Sequence, residues 1–481
     1  MQQSSDHPNA SASHGKPATL GQLRASGHVY RTVKQEIREN LLARMRAGQN
    51  RFPGIVGFDQ TVLPHVERAL LAGHDIILLG ERGQGKTRLI RTIGGLLDEW
   101  TPAVAGCEIN DHPYAPGCAR CRRLAAELGD ELPVSWRHRT ERYGEKLATP
   151  DTSVGDLVGD IDPVKVAEGR TLGDPETIHF GLVPRTNRGI FCLNELPDLA
   201  ERIQVALLNV LEERDIGVRG YSLRLPLDLV LVASANPEDY TNRGRIITPL
   251  KDRFGAEIRT HYPVSLEAEL ALIHQEAQLS WGAASAPGAV LPDHLVQVIA
   301  RFTRLVRASP AVDSRSGVSA RFAIAAAEAV AASAVRRAAI SGEDQAVARV
   351  CDLPSTISTL RGKVEFEVSE EGREQEVLDH LLRRATAETF RATLGNADLS
   401  GLLARFAEGS AVETGDLLAA TDLLRRIGEV QGLAKIMERL HMEGGESFGE
   451  AAAALEFAME GLYLMRRLSK DALDGGAVYR T

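Results

Sequence analysis

The stretch Gly80-Glu81-Arg82-Gly83-Gln84-Gly85-Lys86-Thr87 matches the Walker A pattern G-x-x-x-x-G-K-[ST] at every position. The apolar run at residues 74–79 predicts a short buried strand before it, and residues 88–97 carry apolar side chains on one helical face. Strand, glycine-rich loop and helix form a phosphate cradle, because backbone N–H groups of the loop and the helix N-terminus point at the same anion. In such a cradle Lys86 supplies a positive charge and Thr87 a hydroxyl ligand for Mg²⁺. The alternative is a chance match in a glycine-rich turn.

The composition is that of an ordinary globular chain: 481 residues, 43% hydrophobic and 25% charged, enough for about two to four domains. The net charge of −9 argues against nucleic-acid binding through bulk charge. No apolar run reaches the roughly 18 residues of a membrane span, and residues 1–16 lack the apolar core of a secretory signal. Five cysteines, an odd number, do not indicate a disulfide framework, so we expect a cytoplasmic protein.

A short segment upstream of the Walker A strand, Ile55-Val56-Gly57, lies between two predicted helices. A segment in this position often forms one wall of an adenine pocket. Simple core packing is the alternative explanation for each of these side chains.

Cysteines cluster after the Walker A helix, where Cys107 precedes Cys118 and Cys121, with His112 in the gap. A C-x2-C pair places two thiolates close enough to share a tetrahedral Zn²⁺, with Cys107 as a third ligand and His112 as a fourth. The spacing is looser than in a standard zinc finger, so free thiols in a surface insertion are the alternative.

Residues 189–195 form an apolar run that ends in Asn194 and Glu195, which indicates a Walker B strand. Glu195 would polarise the water that attacks the γ-phosphate. The residue before it is normally an aspartate that helps to hold Mg²⁺. Asn194 can accept a hydrogen bond from a metal-bound water, but it brings no charge, which leaves metal affinity and turnover open. A buried strand that happens to end in Asn-Glu is the alternative.

A further apolar run, residues 229–236, ends at Asn236, where a sensor of the γ-phosphate and of the attacking water is expected. Arg253 follows after a short helical segment. We interpret Arg253 as an arginine finger that enters the site of a neighbouring subunit. The alternative is a surface ion pair with Asp252.

Taken in order, these motifs resemble the AAA+ ATPase I subunit of magnesium chelatase and its relatives, including MoxR-like proteins. The resemblance covers roughly residues 50–335. Besides Ile55-Val56-Gly57 and the Walker A stretch, it rests on residues 182–189, Asn236-Pro237-Glu238 and Asp252-Arg253-Phe254-Gly255. It implies an α/β fold: an AAA+ P-loop NTPase core, with a parallel sheet between helices, followed by a helical lid and a helical C-terminal extension. Asn194, the cysteine insertion and the long extension depart from the family pattern.

The resemblance also implies roles and partners. ATP and Mg²⁺ would bind at the subunit interfaces of a hexameric ring, where Arg253 acts in trans. Arg321 would be the sensor 2 arginine of the lid, a helix-surface charge being the alternative. Residues 152–182 correspond to a helix 2 insert and residues 216–226 to the hairpin before sensor 1, which face the pore and contact the client in related rings. A partner with a von Willebrand factor A domain is expected, and neither a membrane nor a sequence-specific nucleic acid.

The sequence divides into four predicted regions. They are a disordered tail (1–28), the α/β nucleotide-binding core (29–264) with a cysteine-containing insertion (106–146) and the helix 2 insert (149–189), a helical lid (265–345), and a mostly helical C-terminal domain (346–481). In the last region we predict a strand at 363–367 and helices at 374–393, 398–408, 414–441 and 448–469. No motif beyond residue 360 indicates chemistry.

Two functions are compatible with this pattern. The first is an ATP-hydrolysing ring motor that remodels a protein partner, with metal insertion or complex maturation as the purpose. The second is a nucleotide-gated assembly or regulatory module with little turnover, which Asn194 favours.

Overall fold

The computed structural model describes residues 15–168, 177–213, 216–218, 221–223, 225–236, 245–279, 288–313, 317–407, 411–442, 447–473 and 475–481. The chain forms two compact units. One comprises Met1–Glu81 and Gly85–His261, and the other comprises Arg82–Gln84 and Tyr262–Thr481.

The first unit is an α/β unit. Its strands are β1 (Ile76–Leu79), β2 (Trp100–Val104), β3 (Val134–His138), β4 (Tyr143–Leu147), β5 (Gly159–Ile161), β6 (Ile178–Phe180), β7 (Gly189–Asn194), β8 (Ile216–Val218), β9 (Tyr221–Leu223), β10 (Leu229–Ala235) and β11 (Ala256–Arg259). Its α-helices are Leu20–Ala25, Val33–Arg46, Val62–Leu71, Lys86–Ile93, Ala119–Leu128, Val154–Leu157, Pro163–Ala167, Leu182–Arg185, Glu201–Glu213 and Thr248–Arg253.

Among the described residues, the central sheet has five strands in the order β11-β1-β10-β7-β4, and all neighbouring pairs are parallel. Numbered along the chain, this is the order 5-1-4-3-2. The carboxyl ends of parallel strands meet at one edge, and ligands of open α/β sheets bind there. The Walker A loop follows β1, Glu195 follows β7 and Asn236 follows β10, so this edge collects the predicted site residues.

Helices cover both faces of the sheet, which explains why its three inner strands, β1, β10 and β7, are continuous apolar runs rather than alternating ones. Ile77 and Leu79 of β1 belong to one hydrophobic cluster, whereas Ile76 and Leu78 belong to another. Strands β7 and β10 alternate between the same two clusters. The predicted buried strands are therefore confirmed.

The predicted disordered tail is wrong for residues 15–28. The helix Leu20–Ala25 begins at Thr19, whose side chain accepts a hydrogen bond from the backbone N–H of Gln22, and Leu20 is buried. This segment packs on the cysteine insertion, since Leu20 N donates to Leu132 O at 3.0 Å. The segment is polar overall, but its few apolar residues, Leu20 and Leu23, are buried and hold it in place. Residues 1–14 lie outside the described part of the chain.

Two hairpins are present in the first unit. Within the 149–189 insert, β5 pairs antiparallel with β6, although residues 169–176 lie outside the described residues. Strands β8 and β9 also pair antiparallel, as expected for the hairpin at 216–226.

The second unit is mainly helical. Its α-helices are Leu266–Glu276, Asp293–Arg307, Ala320–Ser341, Ser355–Leu360, Glu374–Thr393, Ser400–Ala407, Ala420–Ile427, Leu433–Arg439 and Phe448–Leu464. Its strands are β12 (Ala289–Val290), β13 (Ala346–Val347), β14 (Val412–Gly415), β15 (Ser469–Leu473) and β16 (Gly476–Arg480). One hydrophobic cluster runs from Ile273 to Tyr479 and continues across residue 345, so the predicted lid and C-terminal domain share a core.

Three predictions for the second unit are wrong. Strand β14 and two short helices replace the single helix expected at 414–441, because Gly428 and Gly432, with φ of 74° and 85°, interrupt it. Phe366 makes only an isolated bridge to Val312 in place of the strand at 363–367. The last helix ends at Leu464, and β14-β16-β15 form an antiparallel sheet in the predicted helical region. None of the described helices qualifies as a membrane-spanning segment.

Candidate functional site

The Walker A loop has the backbone that a phosphate cradle requires. Gly83 and Gly85 have φ of 73° and 77°, a left-handed conformation that favours glycine. Gly85 is the N-cap of the helix Lys86–Ile93, and no side chain caps this helix. The first N–H groups of the helix have no partner within the helix itself, so they are donors suited to an anion.

A hydrogen-bonded chain joins the three motifs at the sheet edge. Lys86 Nζ donates to the carbonyl oxygens of Gly80 and Glu81 and, at 2.7 Å, to Oδ1 of Asn236. Asn236 in turn donates from Nδ2 to Oε2 of Glu195 at 2.7 Å. The structure thus brings together the predicted phosphate-binding lysine, sensor and catalytic base. One amide can serve both neighbours because it carries an acceptor and a donor.

Glu195 has an unusual backbone. Its φ and ψ are 56° and 49°, which is the left-handed region, and its N–H donates to Oγ of Ser234 at 3.3 Å. Non-glycine residues in this region are strained by about 1–3 kcal/mol, and such residues concentrate at functional sites. The strand β7 ends here, and the turn aims the carboxylate along the sheet edge toward Asn236.

Asn194 is placed by two neighbouring strands. Its Nδ2 donates to Oε1 of Glu145 on β4 at 2.8 Å, and its Oδ1 accepts from Oγ of Ser234 on β10 at 3.2 Å. Arg91 donates two 2.9 Å hydrogen bonds to Glu145, and these hold the pKa of Glu145 below its usual value. A carboxylate is therefore present beside the position where Walker B strands normally carry an aspartate.

Sequence reasoning missed Glu145. It lies 49 residues before Asn194, and only the pairing of β4 with β7 brings the two side chains together. No local motif marks it. Residue 145 falls within the predicted cysteine-containing insertion (106–146), whereas in the structure it lies on β4 of the central sheet.

The adenine-wall segment lies in the first unit. Ile55, Val56 and Gly57 are half-buried, and Ile55 packs against one of the two sheet clusters. Thr87 is half-buried in the first turn of the Walker A helix. The adenine-wall and Mg²⁺ roles of these residues stay predictions.

The two predicted arginines lie outside the hydrogen-bonded chain. Arg253 ends the helix Thr248–Arg253 and forms an exposed ion pair with Glu212, rather than with Asp252. Arg321 is exposed in the first turn of the helix Ala320–Ser341 in the second unit. Their finger and sensor roles stay predictions. Pro237 and Glu238 lie outside the described residues.

The cysteine cluster exists, but its fourth member is not the predicted one. The ligand atoms of Cys107, Asp111, Cys118 and Cys121 all lie within 4.8 Å of one another. His112 is engaged elsewhere: its ring stacks on that of His28, and its Nδ1 accepts from the N–H of Tyr114 at 3.0 Å. The prediction that His112 is the fourth member of the cluster is therefore wrong, and Asp111 takes its place.

The parallel sheet in the order 5-1-4-3-2, with a Walker A loop after the first strand and polar residues after the third and fourth, defines an AAA+ P-loop NTPase core. A family model described as the Sigma-54 interaction domain matches residues 171–253.

Sequence relatives point to one branch of this class. The "Magnesium-chelatase 38 kDa subunit" of Acidiphilium rubrum is 31% identical over 207 residues, which is 42% of this chain and 55% of the relative. The protein of the same name from Cereibacter sphaeroides is 29% identical over 254 residues, 48% of this chain and 67% of the relative. The chain thus spans only about half to two thirds of the length of these relatives. The resemblance to the magnesium-chelatase I subunit is confirmed.

Structural neighbours are more distant. A model of the complex between subunits BchI and BchD of magnesium chelatase is 20% identical, with a TM-score of 0.35, and the match covers 68% of this chain and 98% of that chain.

Proposed function

We propose that this chain binds and hydrolyses ATP as an AAA+ ring motor that acts on a protein partner. The observation that carries the proposal is the chain Lys86–Asn236–Glu195 at the carboxyl edge of the sheet, next to the uncapped N-terminus of the Walker A helix. A phosphate binder, a sensor and a base that meet at one edge are the components of nucleotide hydrolysis.

Each residue has a defined task in this proposal. The Lys86 ammonium and the helix N–H groups neutralise phosphate oxygens. The Glu195 carboxylate takes a proton from the attacking water, whose oxygen forms the new bond to phosphorus as the bond to the leaving phosphate breaks. Asn236 bonds both Lys86 and Glu195, so phosphate bound to Lys86 would compete for the lysine and free the amide to orient the water.

The donor atoms at the sheet edge suit Mg²⁺, which prefers oxygen ligands and retains waters. Thr87 and Asn194 would hold the ion, with the carboxylate of Glu145 adding negative charge beside Asn194. When bound, Mg²⁺ would neutralise charge on the triphosphate. The other predicted metal, zinc, would be held outside this site by the cysteine cluster.

Assembly and client are inferred from the relatives. Relatives named as magnesium-chelatase subunits support assembly into a larger complex. The hexameric ring with Arg253 acting in trans, and the partner with a von Willebrand factor A domain, rest on the family resemblance of the sequence motifs. In a ring, Arg253 would exchange its exposed partner Glu212 for the triphosphate of the next subunit. Metal insertion, the MoxR-like character and the cytoplasmic location are further parts of this proposal.

The second candidate is a nucleotide-gated module with little turnover. It is favoured by Asn194, whose amide bonds Glu145 and Ser234 and brings no charge of its own. Steady-state hydrolysis of the purified chain, with and without a co-purifying partner, distinguishes the two candidates.

The first test replaces the base. Glu195→Gln should retain ATP binding but lower the hydrolysis rate by about 10²–10⁴-fold, the usual contribution of a general base. Lys86→Ala should instead abolish binding. The matched control is Glu201→Gln, an exposed glutamate on the following helix. Hydrolysis by Glu195→Gln at the rate of the parent would refute the assignment of the base.

The same assay tests the ring. Arg253→Ala should lose turnover, and mixing it with Lys86→Ala should partly restore turnover, because each variant then supplies what its neighbour lacks. Full activity of Arg253→Ala, or a monomer at saturating ATP, would contradict the ring proposal.

A further inference from the structure

We propose that Cys107, Asp111, Cys118 and Cys121 bind a structural Zn²⁺. The ion would fix the N-terminal ends of β7 and β10, the two strands that lead to Glu195 and Asn236. The four ligand atoms lie within 4.8 Å of one another, and only Cys118 is not fully buried. A tetrahedral site with Zn–S bonds of about 2.3 Å separates its sulfurs by roughly 3.8 Å. The cluster therefore needs to contract by about 1 Å at most to close around the ion.

The backbone is already arranged for thiolates. The N–H of Asp111 donates to Sγ of Cys107 at 3.3 Å, and the N–H of Cys121 donates to Sγ of Cys118 at 3.3 Å. Amide donors aimed at sulfur favour the thiolate, which is the form that binds metal. Cys118 is also the N-cap of the ten-residue helix Ala119–Leu128. The positive end of that helix stabilises a thiolate further.

Asp111 gives an independent reason to expect a cation. Its side chain is 3% exposed, and no lysine or arginine among the described residues forms an ion pair with it. The N–H of Cys118 donates to its Oδ2 at 2.8 Å, which orients the carboxylate as outer-shell hydrogen bonds do in metal sites. A buried carboxylate is costly unless it is paired or coordinates a metal.

Other uses of the cluster fit less well. A disulfide would join two of the three thiols at about 2.05 Å and leave the third beside the buried carboxylate. An iron–sulfur cluster places its thiolates on different irons and needs a wider cage. Zinc accepts sulfur and carboxylate ligands at one tetrahedral centre, so it matches this donor set.

The cluster is tied to the segment just before β7. Asn110 Nδ2 donates to Arg185 O at 2.9 Å, and Asn187 Nδ2 donates to Ile109 O at 2.9 Å. The buried Arg188 donates to Pro102 O at 2.6 Å and to Asn110 O at 3.3 Å. Three of these four bonds involve Ile109 or Asn110, which directly precede the proposed ligand Asp111.

The same segment also contacts the residue that precedes β10. Oδ1 of Asn187 accepts from the N–H of Asp228 at 2.8 Å, one residue before β10 begins. Strands β7 and β10 lead to Glu195 and Asn236. The zinc would thus order the loop 105–121, and through Asn187 it would order the start of both strands. The zinc site and its effect on these strands do not depend on the proposed function. Only an effect of zinc on ATP hydrolysis rests on it.

The experiment measures metal in the full chain, purified under reducing conditions without chelator. We expect about one zinc per chain, and loss of zinc in Asp111→Ala and in Cys118→Ser with Cys121→Ser. His112→Ala and Cys192→Ser are the matched controls and should keep their zinc. A metal-free parent, or zinc retained in Cys118→Ser with Cys121→Ser, would overturn the site. Loss in His112→Ala with retention in Asp111→Ala would overturn the ligand set.

Two further measurements keep the test decisive if a variant fails to fold. Co²⁺ exchanged into the parent should give thiolate-to-cobalt charge-transfer absorption and tetrahedral visible bands, whose absence would refute the site. Removing zinc from the parent should raise hydrogen exchange on the order of 10-fold in residues 105–121 and 185–189, and unchanged exchange would refute the bracing role. Lys86→Ala should keep its zinc, so failure of the nucleotide site and of the zinc site are separable.

Discussion

The proposed nucleotide site of the first unit and the core of the second unit use the same kinds of side chain in different ways. At the sheet edge, Asn236 relays between Lys86 and Glu195 where strands end and a ligand can enter. In the second unit, Arg337 donates to Asp352 in the interior, where both are nearly inaccessible. The difference suggests that substitutions at the edge change chemistry more than stability, whereas substitutions in the interior do the reverse.

The largest expected effect is on the interior pair. Asp352 also accepts from Ser333 Oγ at 2.8 Å and from the N–H of Arg349 at 2.8 Å. Asp352→Ala leaves the guanidinium of Arg337 buried without its closest carboxylate and should cost about 3–5 kcal/mol. Urea denaturation followed by circular dichroism measures the loss, and hydrogen exchange should localise it to residues 320–360.

The matched control for Asp352 is Asp422, which pairs with Arg425 on the surface of the same unit. Asp422→Ala should change stability by less than about 1 kcal/mol. Equal losses for the two variants would break the distinction between interior and surface charge in this unit.

A pH-dependent effect is expected at His294, which packs against Phe457 with ring centroids 4.6 Å apart and has no hydrogen-bond partner on either ring nitrogen. Burial lowers the pKa of His294 to about 3. As pH falls, the unfolded state therefore binds a proton at this histidine before the folded state does. The free energy of unfolding is highest above about pH 6.5 and decreases between about pH 6.5 and 3, by at most about 1.4 kcal/mol per pH unit.

His294→Phe should remove this part of the pH dependence. The measurement is the slope of the unfolding free energy against pH between 4 and 6.5, about the range between the pKa of His294 in the folded state and that in the unfolded state. His294→Leu is a second, smaller replacement that tests the same point if phenylalanine is too large. Exposed His380→Gln should leave the slope as it is. A parent slope that persists in both His294 variants would contradict the buried neutral imidazole.

The smallest expected effect is at the sheet edge. Asn194→Asp exchanges the hydrogen bond to Glu145 for a repulsion between two carboxylates, which should destabilise the metal-free protein by about 1 kcal/mol. Mg²⁺ with ATP should reverse the loss, since a divalent cation favours the added charge. Adding Glu145→Gln should remove the repulsion and complete a double-mutant cycle. A loss that Mg²⁺ with ATP does not reverse would place Asn194 outside the metal site.

The sequence predicted the site residues that local motifs mark, but not those that only long-range strand pairing brings together. Glu195 and Asn236 directly follow apolar strands, and Lys86 ends the Walker A loop that follows a third, so local patterns and the rule for parallel sheets were enough to place them together. Glu145 could not be found in this way, because it reaches Asn194 only through strand pairing. Asp111 was missed since its neighbour His112 is the more familiar zinc ligand, and only the fold shows which of the two points at the thiols.

The second unit was less predictable for a related reason. Its apolar spacing predicted the helix Glu374–Thr393 and the start of the helix Phe448–Leu464 correctly, but the pairing of β14 with β16 joins residues more than 50 positions apart. Gly428 and Gly432 could have signalled the break in the helix expected at 414–441, since both adopt positive φ. The buried pair of Arg349 and Glu456 has no sequence signature at all.

The helix Leu20–Ala25 and the residues around it change where this protein can be shortened. The ammonium of Lys16 lies 3.6 Å from the ring centroid of Trp100, and Trp136 donates its indole N–H to Pro17 O at 2.9 Å. A boundary drawn at residue 29 from composition would strip this cover and present two indole rings to water. The exposed aromatic surface would bind proteins nonspecifically in a pull-down experiment. The search for the client therefore needs the chain with residues 15–28 in place.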